Sequence, residues 1–323
     1  MLSRISVFRL ITIVCILILL TACAPKDQPV VSIPDSPKPT AIPTVAQPTQ
    51  SPIPEPSVEV PLEMPVSDDG NFIEHQVAYG TFDYVSGLTL FDIDNDGLLD
   101  IIGAAIKEKE VAWWRNNGEN PIVWEKQVIG KVTQGALYVH SNDFDGDGDG
   151  DVISTGVFDE GTISLWINEG GSPIEWRMIV IADDLNEPHG VFIEDMDNDG
   201  DQDILANVAK ANAIYLWENT GMVDGEISLI QHTISDDLTQ NQSVMAIDLD
   251  ADGLMDILAS ALGTSEILWW RNLDGSPPTW EKQIIGDQFI QAHWAEAGDV
   301  NGDGFLDVMG VAYNSDEVAV WYS

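Results

Sequence analysis

Five stretches of this sequence carry oxygen donors at a fixed spacing that could do chemistry: DIDNDGLLD (Asp92 to Asp100), DFDGDGDGD (Asp143 to Asp151), DMDNDGDQD (Asp195 to Asp203), DLDADGLMD (Asp248 to Asp256) and DVNGDGFLD (Asp299 to Asp307). Each reads Asp-x-Asp/Asn-x-Asp-Gly-x-x-Asp. Alternate side-chain oxygens converging on one point, with glycine at position 6 for a sharp turn, suit a hard cation that takes about six to eight oxygen ligands. The carboxylates crowded into each stretch repel one another, and a divalent ion offsets that repulsion. Calcium fits better than magnesium, which demands near-octahedral geometry and keeps its waters.

The expected ligands are Asp92, Asp94, Asp96 and Asp100 in the first loop, and Asp143, Asp145, Asp147 and Asp151 in the second. They continue with Asp195, Asp197, Asp199 and Asp203, then Asp248, Asp250, Asp252 and Asp256, and end with Asp299, Asn301, Asp303 and Asp307. The aspartate at position 9 is expected to close each site. Up to five calcium ions follow, offsetting ten of nineteen ligand charges. Asn301 removes one charge and weakens the fifth site, while the extra Asp149 of the second loop is expected to face solvent. An EF-hand opens in the same way but needs a glutamate at position 12. That position holds Gly103, Ser154, Ala206, Ala259 and Gly310, so no EF-hand is present.

The elements that must position these loops are also repeated. The loops begin 51, 52, 53 and 51 residues apart, the mark of a repeat architecture. Each is followed by a short β-branched or small-residue run (IIGAAI, VISTGV, ILANVA, ILASAL, VMGVAY) that reads as a strand. An aromatic strand comes next (VAWWRNNG, ISLWINEG, AIYLWENTG, EILWWRNLDG, EVAVWYS), then one like WEKQVIG, then the strand entering the next loop. Four strands per period predict an all-β, five-bladed β-propeller of four-stranded blades. The sequence stops after the fifth aromatic strand and carries a spare strand, FIEHQVA (Phe72 to Ala78), before the first loop. That N-terminal strand is expected to complete the last blade and leave no open edge.

This pattern resembles the FG-GAP or VCBS repeat family, known from the integrin α-subunit propeller and many bacterial surface proteins. The resemblance covers about residues 72 to 322 and implies that each calcium loop joins the first and second strands of a blade. It implies no particular activity, and five blades depart from the seven expected of many members.

Residues 1–22 have a basic start (Arg4, Arg9) and a short apolar run of export-signal type, and Leu20-Thr21-Ala22-Cys23 resembles the bacterial lipobox. Cys23 is therefore the expected lipidation site, and Cys15 leaves with the signal. The folded part then has no cysteine and no disulfide. Residues 23–66 read as a Pro-rich tether and residues 67–323 as the propeller, which predicts an extracytoplasmic, membrane-anchored lipoprotein. The formal net charge of −41 opposes nucleic acid and anionic headgroups, leaving the lipid as the contact with the membrane. The domain is expected to be a monomer.

Trp114, Trp166, Trp217, Trp270 and Trp321 recur at one place in every blade and are expected to pack between blades rather than serve a sugar. A ligand over the central channel meets different blades, so its site should break the repeat. On the inner strands the irregular residues are Tyr138, His140, His189, Gln242, His293, Trp294 and Glu296. Three readings stay open. The leading one is a binding or adhesion module for a polysaccharide or an extracellular protein. The second is a carbohydrate-active enzyme, with Glu194 and Glu296 as a glycosidase pair or His189 or His293 as a lyase base. The third is a structural spacer with no ligand.

Overall fold

The computed structural model describes residues 76–78, 82, 84–157, 160–223, 226–313 and 315–323. Every regular element among them is a strand, and the strands form five antiparallel sheets. Blade 1 is β1 (Val85–Phe91), β2 (Asp100–Ala105), β3 (Glu110–Asn116) and β4 (Trp124–Lys131). Blade 2 is β5 (Ala136–Asn142), β6 (Asp151–Gly156), β7 (Gly161–Gly171) and β8 (Ile174–Leu185). Blade 3 is β9 (Pro188–Glu194), β10 (Asp203–Val208), β11 (Ala213–Val223) and β12 (Glu226–Ser235). Blade 4 is β13 (Asn241–Ile247), β14 (Asp256–Ala261), β15 (Glu266–Asn272) and β16 (Trp280–Gly286). Blade 5 is β17 (Ala292–Gly298), β18 (Asp307–Ala312) and β19 (Glu317–Trp321). Strand order follows chain order within each sheet, as in a propeller blade.

The register explains the 51- to 53-residue period. In every blade the ninth-position aspartate pairs with the residue just before its loop: Asp100 with Phe91, Asp151 with Asn142, Asp203 with Glu194, Asp256 with Ile247 and Asp307 with Gly298. Each acidic loop is thus the hairpin connection between the first and second strands. The next residue of the second strand faces the recurrent tryptophan, as in Ile101–Trp114 and Val152–Trp166. Second strands are buried along nearly their whole length, which is why they read as unbroken apolar or small-residue runs.

Neighbouring blades lock through these tryptophans. Trp114, Trp166, Trp217 and Trp270 are buried, and Trp166 lies against Gly130 at the end of the preceding blade's outer strand. A Cβ on Gly130 would sit 2.1 Å from the Trp166 ring, and one on Gly286 would sit 2.5 Å from the Trp321 ring. Trp166 and Trp321 therefore pack between blades, as their periodicity predicts, while Trp114 lies on Phe82 and on Gly103 of its own blade. Polar latches add to this: Thr155 Oγ1 donates to the His189 carbonyl (3.0 Å), Asn207 Nδ2 to that of Asn241 (2.9 Å) and Ser260 Oγ to that of His293 (2.9 Å).

Of the closing strand expected over Phe72–Ala78, residues 72–75 lie outside the described residues, and Gln76–Ala78 are not in a strand. Val77 and Ala78 instead line an apolar hollow of about 250 Å³ with Phe82 and Trp114. Blade 5 has three strands among the described residues. The expected lipidation site Cys23, the signal segment 1–22 and the tether 23–66 also lie outside them.

Gly130→Ala and Gly286→Ala are each expected to destabilise the protein by about 1–3 kcal/mol, because each forces a methyl group into a filled tryptophan contact. Urea unfolding measures this, and midpoints unchanged in both variants would contradict the packing described.

Candidate functional site

The five acidic loops share one hydrogen-bond scheme. At position 1, Asp92, Asp143, Asp195, Asp248 and Asp299 each accept the N–H of the position-6 glycine, at 2.8–3.1 Å. At position 5, Asp96, Asp147, Asp199, Asp252 and Asp303 each accept the N–H two residues on, at 2.9–3.0 Å. The glycines adopt positive φ (Gly200 at 99°), which is why position 6 does not vary. At position 9, Asp100, Asp151, Asp203, Asp256 and Asp307 are all 0% exposed. One oxygen of each accepts the N–H of loop position 2, as Asp151 does from Phe144 (2.9 Å). The other accepts an N–H from the third strand or just past it: Asn116, Asn168, Asn219, Asn272 or Ser323, at 2.7–3.1 Å.

What remains unsatisfied points to a cation. Asp94 Oδ1, Asp195 Oδ1, Asp197 Oδ2 and Asp250 Oδ1 are buried oxygens without a hydrogen-bond partner. A buried carboxylate oxygen of this kind is costly unless something positive meets it. Oxygens of Asp92, Asp94 and Asp96 lie within 4.8 Å of one another, as do those of Asp143, Asp145 and Asp151, of Asp195, Asp197 and Asp199, and of Asp248, Asp250 and Asp256. All donors are hard oxygens, so the residues present fit a hard divalent ion. The ninth-position aspartate joins the cluster in blades 2 and 4, while position 5 does so in blades 1 and 3. No such three-carboxylate group forms in the fifth loop among the described residues, where Asn301 Nδ2 donates to Asp303 (2.9 Å). Asp149, expected to face solvent, is half-buried.

Burial away from water pushes the Asp100 carboxyl up to about 6 and those of Asp151 and Asp203 to about 7, against the pull of their backbone N–H bonds. Sequence reading missed the asparagines that follow the aromatic strands. Asn168 Nδ2 reaches the Ile93 carbonyl of the preceding loop (2.9 Å), and Asn272 Nδ2 reaches that of Met196 (2.8 Å), linking consecutive loops. Their signal was the recurrence of Asn116, Asn168, Asn219 and Asn272 at one place in four repeats.

The second constellation lies at the other end of the inner strands, remote from the loops. Tyr138 of blade 2 stacks on Trp294 of blade 5 (ring centroids 6.2 Å apart, planes 18° apart) and also approaches His189 of blade 3 (6.2 Å). Blades 2 and 5 are not neighbours in the chain order, so this contact spans the centre of the molecule. At the position of Tyr138 and Trp294 the other blades carry Gly87, Gly190 and Ser243, so the two rings break the repeat. Trp294 is 36% exposed and its Nε1 donates to Glu296 (3.3 Å). His293 stacks on Tyr313 (5.2 Å) and lies close enough to His189 to act on its charge.

Burial first, and His293 among the lesser causes, holds His189 below the usual imidazole range; burial does the same to His293. Gln242 contributes its backbone to His189 and turns its side chain to the Gln240 carbonyl (3.3 Å). His140 stands apart: its ring lies on Phe192 (4.8 Å), its Nδ1 accepts the Ile193 N–H (3.2 Å), and burial lowers it to about 4. It is a neutral packing residue rather than part of the mouth. Glu194 is half-buried, its carboxyl raised by burial and then by Asp195.

Strand order, loop position and inter-blade packing define a repeat-built β-propeller with an acidic loop on each blade. The model of the FG-GAP-like repeat matches residues 92–154, 143–206 and 195–259, together just over half of the chain, and the chain belongs to that family. No curated protein matches it. Among solved structures, it is similar to an Agrocybe aegerita lectin described as recognising non-reducing terminal N-acetylglucosamine, at 19% identity and a TM-score of 0.49. That match covers 69% of this chain and 60% of the lectin, less than two thirds of the latter. It is also similar to a luciferin-regenerating enzyme, at 12% identity and a TM-score of 0.43, over 71% of this chain and 70% of that one. Among the described residues no helix is long and apolar enough to cross a membrane.

A histidine whose folded pKa lies below its unfolded value contributes stability that is present above about pH 6.5 and is lost as pH falls toward its folded pKa. His140 is such a group. Between pH 6.5 and 4, His140→Gln is expected to lose on the order of 3 kcal/mol less stability than the parent protein. Parallel stability curves for the two proteins, measured by urea unfolding, would contradict this.

Proposed function

We propose that this protein is a calcium-binding propeller, held outside the cytoplasm by a lipid on Cys23, that binds a neutral polysaccharide at the channel mouth remote from its loops. The observation that carries the ligand site is the meeting of Tyr138, His189 and Trp294 from three different blades. Residues that repeat hold blades together. Tyr138 and Trp294 break the repeat, and with His189 they gather partly exposed aromatic surface with polar edges, the usual make-up of a recognition site. Two neutral histidines and Glu296 supply hydrogen-bonding groups around the rings. The acidic charge of the chain favours a neutral or amino sugar over a polyanion. Cys23 rests on the lipobox-like Leu20-Thr21-Ala22-Cys23, which also supports an extracytoplasmic location.

The loops have a separate role. When bound, calcium supplies the positive charge that the orphaned carboxylate oxygens of Asp94, Asp195, Asp197 and Asp250 require. The aspartates at positions 1 and 3 would hold it, joined by position 5 in blades 1 and 3 and by position 9 in blades 2 and 4, while every position-9 aspartate also fixes its loop to the third strand.

Two outcomes are expected. Millimolar calcium raises the melting temperature by roughly 5–10 °C over chelated protein, since a ligand bound only by the folded state stabilises it by mass action; equal melting with and without chelator would remove calcium from the account. In affinity electrophoresis through neutral polysaccharides, retention weakens about tenfold or more in Tyr138→Ala and Trp294→Ala, since each removes an aromatic anchor of the kind that dominates binding. Retention equal in parent and variants would place the ligand elsewhere. Release of new reducing ends, abolished by Glu296→Gln, would make the protein an enzyme.

A further inference from the structure

One third-strand position, just before the asparagine or serine that caps the ninth-position aspartate, differs among the blades in a way the loops register. It holds Arg115, Ile167, Glu218, Arg271 and Tyr322 in blades 1 to 5. In blade 1 the Arg115 guanidinium bridges two loop carboxylates, Nε on Asp94 and Nη2 on Asp96 (3.0 Å). In blade 4 Arg271 pairs with the corresponding carboxylates, Nη2 donating to Asp252 (3.0 Å) and Nε lying 2.5 Å from Asp250 as an ion pair without hydrogen-bond geometry. The two arginines thus engage one oxygen of the position-3 aspartate, a member of the carboxylate cluster in both blades, and leave its Oδ1 without a partner.

Blades 2 and 3 lack this internal cation. Ile167 is 1% exposed and packs in the apolar core. The nearest arginine, Arg177, pairs with Glu169 and acts on Asp145 only through its charge. In blade 3 the position is an acid: Glu218 meets His232 (2.6 Å) and accepts from Ser276 Oγ (3.0 Å). Asp197 is 8% exposed and keeps its Oδ2 without a partner. Blade 5 has Tyr322 at this position and the uncharged Asn301 in its loop.

We propose that this third-strand position divides the five loops into two classes, with the loops of blades 2 and 3 as the tight calcium sites and those of blades 1, 4 and 5 as weak ones. The inference rests on the calcium reading above. In blades 1 and 4 the guanidinium has to surrender its two ion-pair contacts, or stay as a like charge beside the ion, and either raises the cost of binding. Loops 1 and 4 are in turn held together without metal, because the arginine already offsets part of their repulsion.

Calcium binding to the full chain is measured by calorimetry after chelation and dialysis. Two sites should bind about tenfold or more tightly than the rest, the change expected for about 1.4 kcal/mol of lost carboxylate pairing. The double variant R115Q/R271Q should raise the tight class from two sites to four. In chelator it should melt below the parent, and calcium should recover more of its stability. The variant I167R should leave one tight site. A single class of sites in the parent, or a tight-site count unmoved by R115Q/R271Q, would overturn the division while leaving the calcium reading intact. No calcium bound by any of these proteins would overturn the calcium reading itself and this inference with it.

Discussion

The rest of the structure depends on a buried carboxylate that accepts two backbone N–H groups. In each blade the ninth-position aspartate is fully enclosed and bonds the loop's second residue and the third strand or a residue just past it. A buried acceptor so placed is costly to lose, since two backbone donors would be stranded with it. It fixes where the hairpin turns, and so which residue of the second strand faces the tryptophan. From there it fixes which face of the blade meets its neighbour. The loop is therefore folded by its own backbone bonds, and the oxygens left over are the ones available to an ion.

Repetition and irregularity divide the work of the molecule. Positions that recur hold the ring of blades: the tryptophans, the small residues beneath them, the aspartates and the loop-linking asparagines. A propeller of near-identical blades presents an almost symmetric channel, and an asymmetric ligand needs that symmetry broken. Here it is broken at one end of the inner strands, where Tyr138, His189, His293 and Trp294 gather, while the loops occupy the other end. The separation lets loop and mouth vary without disturbing each other.

The few cations of this acidic chain are largely engaged in holding it together. Arg115 and Arg271 sit on loop carboxylates, Lys126 and Lys131 on Glu110, Lys210 on Glu187, and Lys282 on Asp237. Lys126 and Lys282 also lie over aromatic rings. Among the described residues, basic charge committed in this way is not gathered into a patch.

The sequence by itself determined the number of blades, the place of each loop between first and second strands, and the recurrence of the tryptophans, of which Trp166 and Trp321 pack on the preceding blade. These are periodic, and a period is visible without coordinates because every copy meets the same local physics. It also narrowed the irregular inner-strand positions to a few residues. Tertiary structure alone decided which of them meet: Tyr138 and Trp294 are 156 residues apart, and His140, of the same residue type as His189, turns away onto Phe192. It decided too that two arginines enter the loops of blades 1 and 4, because a side chain's partner across a hairpin depends on register and twist. Composition is blind to both, although the shared WWRN of blades 1 and 4 marks where the arginines stand.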